Sequence, residues 1–169
     1  MKKWKKRIYL FSLILIVAIV TCMFIFENNG NIKYKNEIKE EIYANDFVLS
    51  NELNYYSLIS KNKENILLFW SSTCPHCNTV LEYLLSNDVY SRVLNKTLTV
   101  CIDSEINSAR EISKKIPVYF DYDREILKDF ECEHIPTLFI VSANGKLISK
   151  GDGGQESIEL INEFIKKNK

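Results

Sequence analysis

The distribution of apolar residues separates an N-terminal run from a patterned remainder. Residues 8–26 contain no charged side chain, and they are apolar around the whole of a helix rather than along one face. From residue 46 onward, apolar runs typical of buried strands alternate with segments whose apolar residues recur at helical spacing. This alternation predicts an α/β fold, with helices flanking a central sheet.

The predicted elements follow one another closely after residue 46. The run 66–70 is continuously apolar, as expected of a strand in the centre of a sheet. Pro75 has the place of a first-turn proline in the next helix, where the N–H that proline lacks would have no intrahelical partner. Asn144-Gly145 is a strong hairpin signal and adds an antiparallel edge. Strands are expected at 47–49, 66–70, 97–102, 118–120, 138–141 and 146–149, and helices at 54–60, 75–85, 105–115, 125–130 and over a closing segment that contains 158–165.

The N-terminal run has the length and flanks of a membrane anchor. Its 19 residues, at about 1.5 Å each, nearly span a hydrocarbon core of about 30 Å. Five basic residues precede the run, so the positive-inside rule keeps that end in the cytoplasm. The expected organisation is a cytoplasmic segment (1–7), a single-pass anchor in the lipid bilayer (8–26), a tether (27–45) and an extracytoplasmic domain (46–169).

A cleaved signal peptide is the main alternative to the anchor. Its apolar region would be about 7–15 residues long and would end at small residues, whereas this run ends in Cys22-Met23-Phe24-Ile25-Phe26. A buried soluble helix fits less well, because the run is apolar on all sides.

Composition narrows the class of the remaining chain. With 46% apolar and 26% charged residues, a packed core is expected rather than disorder or several membrane spans. Five cysteines and two histidines are too few for a disulfide scaffold or an ordinary Cys/His zinc module. Net charge is zero, but five of the 22 basic residues lie in residues 1–7. The acidic balance of the rest argues against a nucleic-acid partner.

The segment Cys74-Pro75-His76-Cys77 carries the candidate chemistry. It lies between a buried strand and a helix, so Cys74 comes at the helix N-terminus, where backbone N–H groups and the macrodipole favour a thiolate. Cys77 follows one turn later and is expected to be more buried, so the first sulfur can attack and the second can resolve. Protonated His76 would add positive charge beside the thiolate and destabilise the disulfide. A structural disulfide and half of a zinc site are the alternatives.

At these residues the chain resembles thioredoxin-fold proteins. The segment 69–77 is similar to their active-site segment, and Ile135-Pro136-Thr137 with the strand and hairpin turn after it is similar to their cis-proline loop and final hairpin. Residues 46–49 and 116–121 resemble the membrane-anchored, extracytoplasmic TlpA/ResA-like branch. The resemblance covers about residues 46–167.

This resemblance implies a thioredoxin-like fold with a mixed sheet and a protein thiol–disulfide oxidoreductase activity. Ile135–Pro136 is implied to be a cis peptide against the cysteine pair, with the backbone of Ile135 binding an extended substrate and Trp70 belonging to the same substrate-binding set. The only redox group implied is the Cys74–Cys77 disulfide, with no metal or other cofactor. The implied partners are protein thiols or disulfides outside the cytoplasm and a membrane redox partner.

The chain departs from the family pattern in three ways. Leu68 stands where thioredoxin carries a buried acid that helps deprotonate the resolving cysteine. Thr73 replaces the usual aromatic residue before the first cysteine. Cys-Pro-His-Cys is typical of strongly oxidising proteins, whereas the TlpA/ResA-like branch is mostly associated with reduction. The direction of electron flow therefore stays open, with a slight preference for a reductase or isomerase activity.

Three further residues and two alternative functions bear on this hypothesis. His134 is expected near the sulfurs or as a solvated loop residue. Cys101 and Cys132 are expected as small core residues, with a disulfide between them or a relay role as alternatives. A copper chaperone using Cys74, Cys77 and His134 is the alternative function, and a non-catalytic binding module is a third.

Overall fold

The computed structural model describes residue 17 and the ranges 34–38, 40–43, 54–59, 61–103 and 106–169. The chain divides into two compact units, residues 1–33 and 34–169. Apart from Val17, which is helical, the predicted cytoplasmic segment and anchor lie outside the described residues, as does the strand predicted at 47–49. Within the ranges given above, no helix combines the length and the apolar character needed to cross a membrane.

The second unit contains a five-stranded sheet with helices on both sides. Its strands are β1 (Glu64–Trp70), β2 (Thr97–Cys101), β3 (Val118–Phe120), β4 (Thr137–Ser142) and β5 (Leu147–Asp152). Its helices are α1 (Tyr55–Ile59), α2 (Pro75–Leu84), α3 (Asn87–Val93), α4 (Ile106–Ser113), α5 (Glu125–Asp129) and α6 (Gly154–Lys167), with a 3-10 turn at Leu94–Lys96.

The strand order is β3-β2-β1-β4-β5. β1, β2 and β3 are parallel, whereas β4 runs antiparallel to both β1 and β5. The predicted mixed sheet with an antiparallel edge is therefore confirmed. Because β1 and β2 are parallel and Trp70 is level with Cys101, the segments that follow these two strands lie side by side.

β1 is central, and all seven of its residues are buried. Since side chains alternate across a strand, its residues supply both cores of the domain. Ile66, Leu68 and Trp70 pack with α2 and α6, whereas Leu67 and Phe69 pack with α1 and the aromatic residues on the other face. The continuous apolar run in the sequence reflects this burial on two sides.

A segment that we call the strap, residues 34–38 and 40–43, lies along β5. The Ile38 N–H donates to the Ile148 carbonyl at 2.8 Å, and the Leu147 N–H donates to the Ile42 carbonyl at 2.9 Å. The strap thus pairs with an edge that would otherwise present open backbone groups. It falls within the predicted tether, and the compact unit begins at residue 34. The domain boundary at residue 46 stays a prediction.

A buried ionic cluster fastens the strap to the sheet. The Tyr34 hydroxyl donates to Glu64 Oε2 at 2.9 Å, and Lys167 Nζ donates to Glu64 Oε1 at 2.8 Å. Lys167 Nζ also lies 4.4 Å from the centre of the Tyr34 ring. Burial and the neighbouring Glu64 carboxylate raise the pKa of Tyr34, so its hydroxyl stays a donor. The cluster, which we call the Glu64 cluster, lies at the amino end of β1.

Candidate active site

Cys74 lies at the carboxyl end of β1 and forms the N-cap of α2. Its backbone is extended (φ −92°, ψ 113°), and its N–H donates to the Ser71 carbonyl at 3.2 Å. Pro75 is the first residue of α2, as predicted from the sequence. The Cys74 sulfur accepts the N–H of Cys77 at 3.2 Å. This contact directs one of the unpaired N–H groups of the helix N-terminus at the sulfur that would carry negative charge.

The two cysteines differ in accessibility. Cys74 is half-buried, whereas the Cys77 side chain is fully buried, and both are free thiols. Burial, followed by the contact with Cys74, raises the pKa of the Cys77 thiol to about 12. An incoming sulfur can therefore reach Cys74 but not Cys77.

The loop at 134–137 forms one side of the site. The Ile135–Pro136 peptide bond is cis, as the family resemblance implies, and the Cys74 thiol lies 3.8 Å from the Ile135 carbonyl oxygen. The Gly153 N–H donates to the Pro136 carbonyl at 2.8 Å, and the Thr137 hydroxyl donates to the His134 carbonyl at 2.7 Å. These bonds hold the loop against the cysteine pair.

The start of α6 forms another side of the candidate active site, next to His76. A Cβ atom at Gly154 would lie 3.6 Å from His76 Cβ, which is ordinary van der Waals contact. The N-termini of α2 and α6 therefore meet beside the exposed His76. Both helix ends carry partial positive charge and favour an anion at the site.

Asp103 holds the segment that leads into Cys74, and the sequence analysis missed this residue. Its carboxylate accepts the Ser71 hydroxyl and, at 2.9 Å, the Ser72 N–H. The Ser71 and Thr73 hydroxyls are in turn 2.9 Å apart. The sequence could have indicated Asp103, because this residue follows β2, which is parallel to β1, and the carboxyl ends of adjacent parallel strands meet at one edge of a sheet.

A cavity of about 760 Å³ opens beside the active-site loop. It runs from Thr73 to Ile135, the residues directly before Cys74 and Pro136. Its other lining residues follow β1 and β2, precede or belong to α5, or lead to Pro136; they are Ser71, Ser72, Ile102, Asp103, Tyr122, Arg124, Leu127, Cys132, Glu133 and His134.

The remaining residues singled out from the sequence have varied positions. His134 is exposed and lines the cavity. The Trp70 side chain is only 1% exposed and packs in the core with α2, and its place in the substrate-binding set stays a prediction. Leu68, which stands where thioredoxin carries a buried acid, is also fully buried among apolar residues. No carboxylate is therefore present at this position.

Cys101 and Cys132 are both free, so the alternative of a disulfide between them is not formed in this structure. Burial raises the pKa of each thiol to about 12. In the described part of the chain, no three His, Cys, Asp or Glu side chains form a group that could hold a metal ion. The set required by the copper-chaperone alternative is therefore not assembled there.

Comparison with known proteins finds thiol-disulfide oxidoreductases that are similar to this chain in sequence and in fold. No protein-family model matches the chain. The ResA thiol-disulfide oxidoreductase of Bacillus subtilis is 26% identical over 174 residues, covering 98% of this chain and 94% of ResA. The sporulation thiol-disulfide oxidoreductase A of the same organism is 28% identical over 119 residues, covering 66% of this chain and 72% of that protein. This chain is similar to the ResA-like thiol-disulfide oxidoreductases and has a thioredoxin-like fold.

Other relatives and solved structures agree with this assignment. ResA of Bacillus thuringiensis is 28% identical to this chain over 114 residues. That alignment covers 63% of this chain and spans 64% of the length of ResA. The thioredoxin domain of a thiol-disulfide oxidoreductase from Bacteroides vulgatus superposes with a TM-score of 0.56 at 15% identity, covering 76% of this chain and 99% of the other. StoA from Bacillus subtilis gives 0.50 at 18% identity, covering 75% and 98%. At these identities the structural matches establish the fold alone.

Proposed function

We propose that this protein is a membrane-tethered thiol–disulfide oxidoreductase that acts outside the cytoplasm through Cys74 and Cys77. The observation that carries the proposal is the asymmetry of the pair. Cys74 is accessible at a helix N-terminus beside the Ile135–Pro136 loop, and Cys77 is buried one turn later. The thiol-disulfide oxidoreductase names of the relatives support the same chemistry.

In the reducing direction, the Cys74 thiolate attacks one sulfur of a substrate disulfide. A disulfide between Cys74 and the substrate forms, the substrate S–S bond breaks, and the departing thiolate takes up a proton. Cys77 then loses its proton and attacks the Cys74 sulfur, which releases the second substrate thiolate and leaves a Cys74–Cys77 disulfide. Two electrons pass from the pair to the substrate, and oxidation follows the same steps in reverse.

The surrounding residues have distinct roles in these steps. The Cys77 N–H, 3.2 Å from the Cys74 sulfur, stabilises the attacking thiolate. The raised pKa of Cys77, about 12, keeps the second thiol protonated near neutral pH until the mixed disulfide brings its target into contact. Pro75 starts the helix, His76 adds charge when protonated, and the Ile135 backbone aligns an extended substrate segment.

The direction we infer is reduction or isomerisation in the cell, with a potential that is moderately oxidising for the TlpA/ResA-like group. The helix N-termini and His76 favour the reduced pair, which makes a couple more oxidising. The proposed anchor at residues 8–26 resembles that of reducing members, and a membrane redox partner would re-reduce the pair. Substrates are then protein disulfides outside the cytoplasm.

A trapping experiment tests the catalytic roles. Cys77→Ala in the native host should accumulate mixed disulfides between Cys74 and other proteins, visible on non-reducing gels and lost on reduction. Cys74→Ala should trap nothing and lose exchange activity. If Cys77→Ala traps nothing and still exchanges thiols at the normal rate, the resolving role of Cys77 is wrong.

A further inference from the structure

Tyr122 is an exposed aromatic side chain at the reactive end of the domain. Most large apolar side chains of the described residues are buried, and the exposed ones are Val17, Ile42, Tyr43 and Tyr122. Ile42 and Tyr43 belong to the strap along β5. Tyr122 is 51% exposed and lines the cavity that runs from Thr73 to Ile135.

The Tyr122 ring stacks on a neighbouring ring and follows a residue that is hydrogen-bonded to two elements. It stacks on Phe120, with ring centres 5.7 Å apart and planes 10° apart. The preceding residue, Asp121, donates its N–H to the Cys101 carbonyl at 2.9 Å, and its carboxylate accepts the N–H groups of Ile126 and Leu127 at 3.2 and 2.8 Å. Because one face of the ring already packs on Phe120, a second ring that packs on Tyr122 restricts it less than it would an unsupported side chain.

The polar lining of the cavity does not favour one sign of charge. Asp103 and Glu133 are acidic and Arg124 is basic. We therefore look to the flat ring of Tyr122 as the feature of the cavity that would favour one uncharged substrate side chain over another. The cavity is lined by Thr73 and Ile135, which directly precede Cys74 and Pro136. An extended segment advances about 3.3 Å per residue, so a substrate cysteine bound at Cys74 places the side chains next to it beside the cavity.

We propose that Tyr122 forms a substrate subsite that takes an aromatic side chain close to the reactive cysteine of the substrate. The inference rests on the proposed function, since it concerns the protein segment bound during exchange at Cys74. Tyr122 is then a specificity-determining residue, and aromatic side chains are preferred because offset or edge contacts between rings add to the burial of apolar area.

The test measures reduction of short peptides whose single cysteine is linked to glutathione. Two peptides are identical except for phenylalanine or alanine two positions from the cysteine, and a further pair carries the change on the other side. The full-length protein, reduced beforehand and present in excess in detergent, reacts in a single turnover whose second-order rate constant is taken as kcat/KM. It is expected to give the phenylalanine peptide a value about three to ten times that of the alanine peptide in one of these pairs.

Variants locate the source of the preference. Tyr122→Ala should bring the ratio of the two kcat/KM values close to one, Tyr122→Leu should give an intermediate ratio, and Tyr122→Phe should keep the full ratio. Tyr43→Ala is the matched control, because Tyr43 is 48% exposed but lies on the strap, and its ratio should not change.

The outcomes separate the two proposals. A wild-type protein that reduces neither peptide overturns the proposed function and, with it, the subsite. A protein that reduces both with a ratio of one on either side of the cysteine, or whose ratio survives in Tyr122→Ala, overturns the subsite and leaves the proposed function standing.

Discussion

Cys101 shows how burial, with a smaller contribution from the neighbouring Asp103 carboxylate, raises the pKa of a thiol. It lies at the end of β2, is fully buried, and has a pKa raised to about 12 from about 9. The folded state therefore keeps a proton that the unfolded state releases between these values. This contribution to the free energy of unfolding is complete below about pH 9 and is lost as the pH rises towards 12.

Replacing Cys101 should make the free energy of unfolding fall less steeply as the pH rises above about 9. Urea unfolding at pH 8.5, 9.5 and 10.5, with reductant present, is expected to give Cys101→Ala a slope shallower than wild type by up to about 1.4 kcal/mol per pH unit. Val100→Ala is the control, because it truncates a neighbouring buried side chain without removing a titrating group. Equal slopes for all three proteins would exclude a raised pKa at Cys101.

His76 is the residue whose replacement should move the reduction potential. Proline is tolerated in the first turn of a helix, so His76→Pro removes the imidazole without breaking α2. The thiolate at Cys74 then loses the neighbouring imidazole, which adds positive charge when it is protonated, and the potential should become more negative, by about 30 mV for each 1.4 kcal/mol lost. Equilibration with thiol buffers of known potential measures the change.

His134→Ala serves as the control for His76→Pro, since His134 is exposed in the cavity and is expected to leave the potential unchanged. An unchanged or more positive potential in His76→Pro would remove the role assigned to His76. The state of the wild-type pair in cells reports the direction of the reaction. A mostly oxidised pair would indicate a disulfide donor rather than a reductase.

Among the elements, the strap depends on the Glu64 cluster. Glu64 is only 6% exposed, so Lys167→Met leaves a buried carboxylate without its cation. The expected loss is about 3 kcal/mol in the free energy of unfolding, measured with urea. Glu64→Gln in the same chain should restore most of it, because the charge that was left unpaired is gone.

The control for this prediction is Lys114→Met. Its pair, Lys114 with Glu111, lies on the surface with both side chains mostly exposed, and its removal should change stability by less than about 1 kcal/mol. A similar loss in the two lysine variants would show that the Glu64 cluster does not fasten the strap.

Elements with a strong local pattern could be predicted from the sequence, and those stabilised by distant partners could not. β1 and α2 combine a continuous apolar run with a first-turn proline. β5, in contrast, extends three residues beyond its prediction at 149, because Ser149 and Gly151 occupy inward positions with small or polar side chains. Ser149 is buried because its hydroxyl donates to the Asn36 carbonyl, a partner 113 positions away.

The helix α3 and the strap were missed for related reasons. Only Val89 and Val93 of α3 are buried, which is too short a pattern to recognise as a helix. The strap has no regular apolar pattern and joins β5 through backbone hydrogen bonds, which composition does not reveal. At the site, Cys74, Cys77 and Pro136 follow from motifs, whereas Asp103 and Tyr122 reach it only through the register of β1, β2 and β3.

At the scale of the whole molecule, the charge pattern of residues 1–26 predicts the topology. A reporter fused after Lys169 should be active only outside the cytoplasm, and the protein should sediment with membranes at its full mass. Replacing the five basic residues before the apolar run with neutral ones should weaken this orientation. Recovery of a shortened, soluble form would instead identify a cleaved signal peptide.

The two ends of β1 carry different tasks. The Glu64 cluster lies at its amino end and Cys74 follows its carboxyl end, about 20 Å away for seven extended residues. Changes at groups so far apart usually have additive effects on free energy. Substitutions in the Glu64 cluster should therefore change how firmly the strap is held, while the affinity for electrons that the proposed function assigns to Cys74 and Cys77 stays the same.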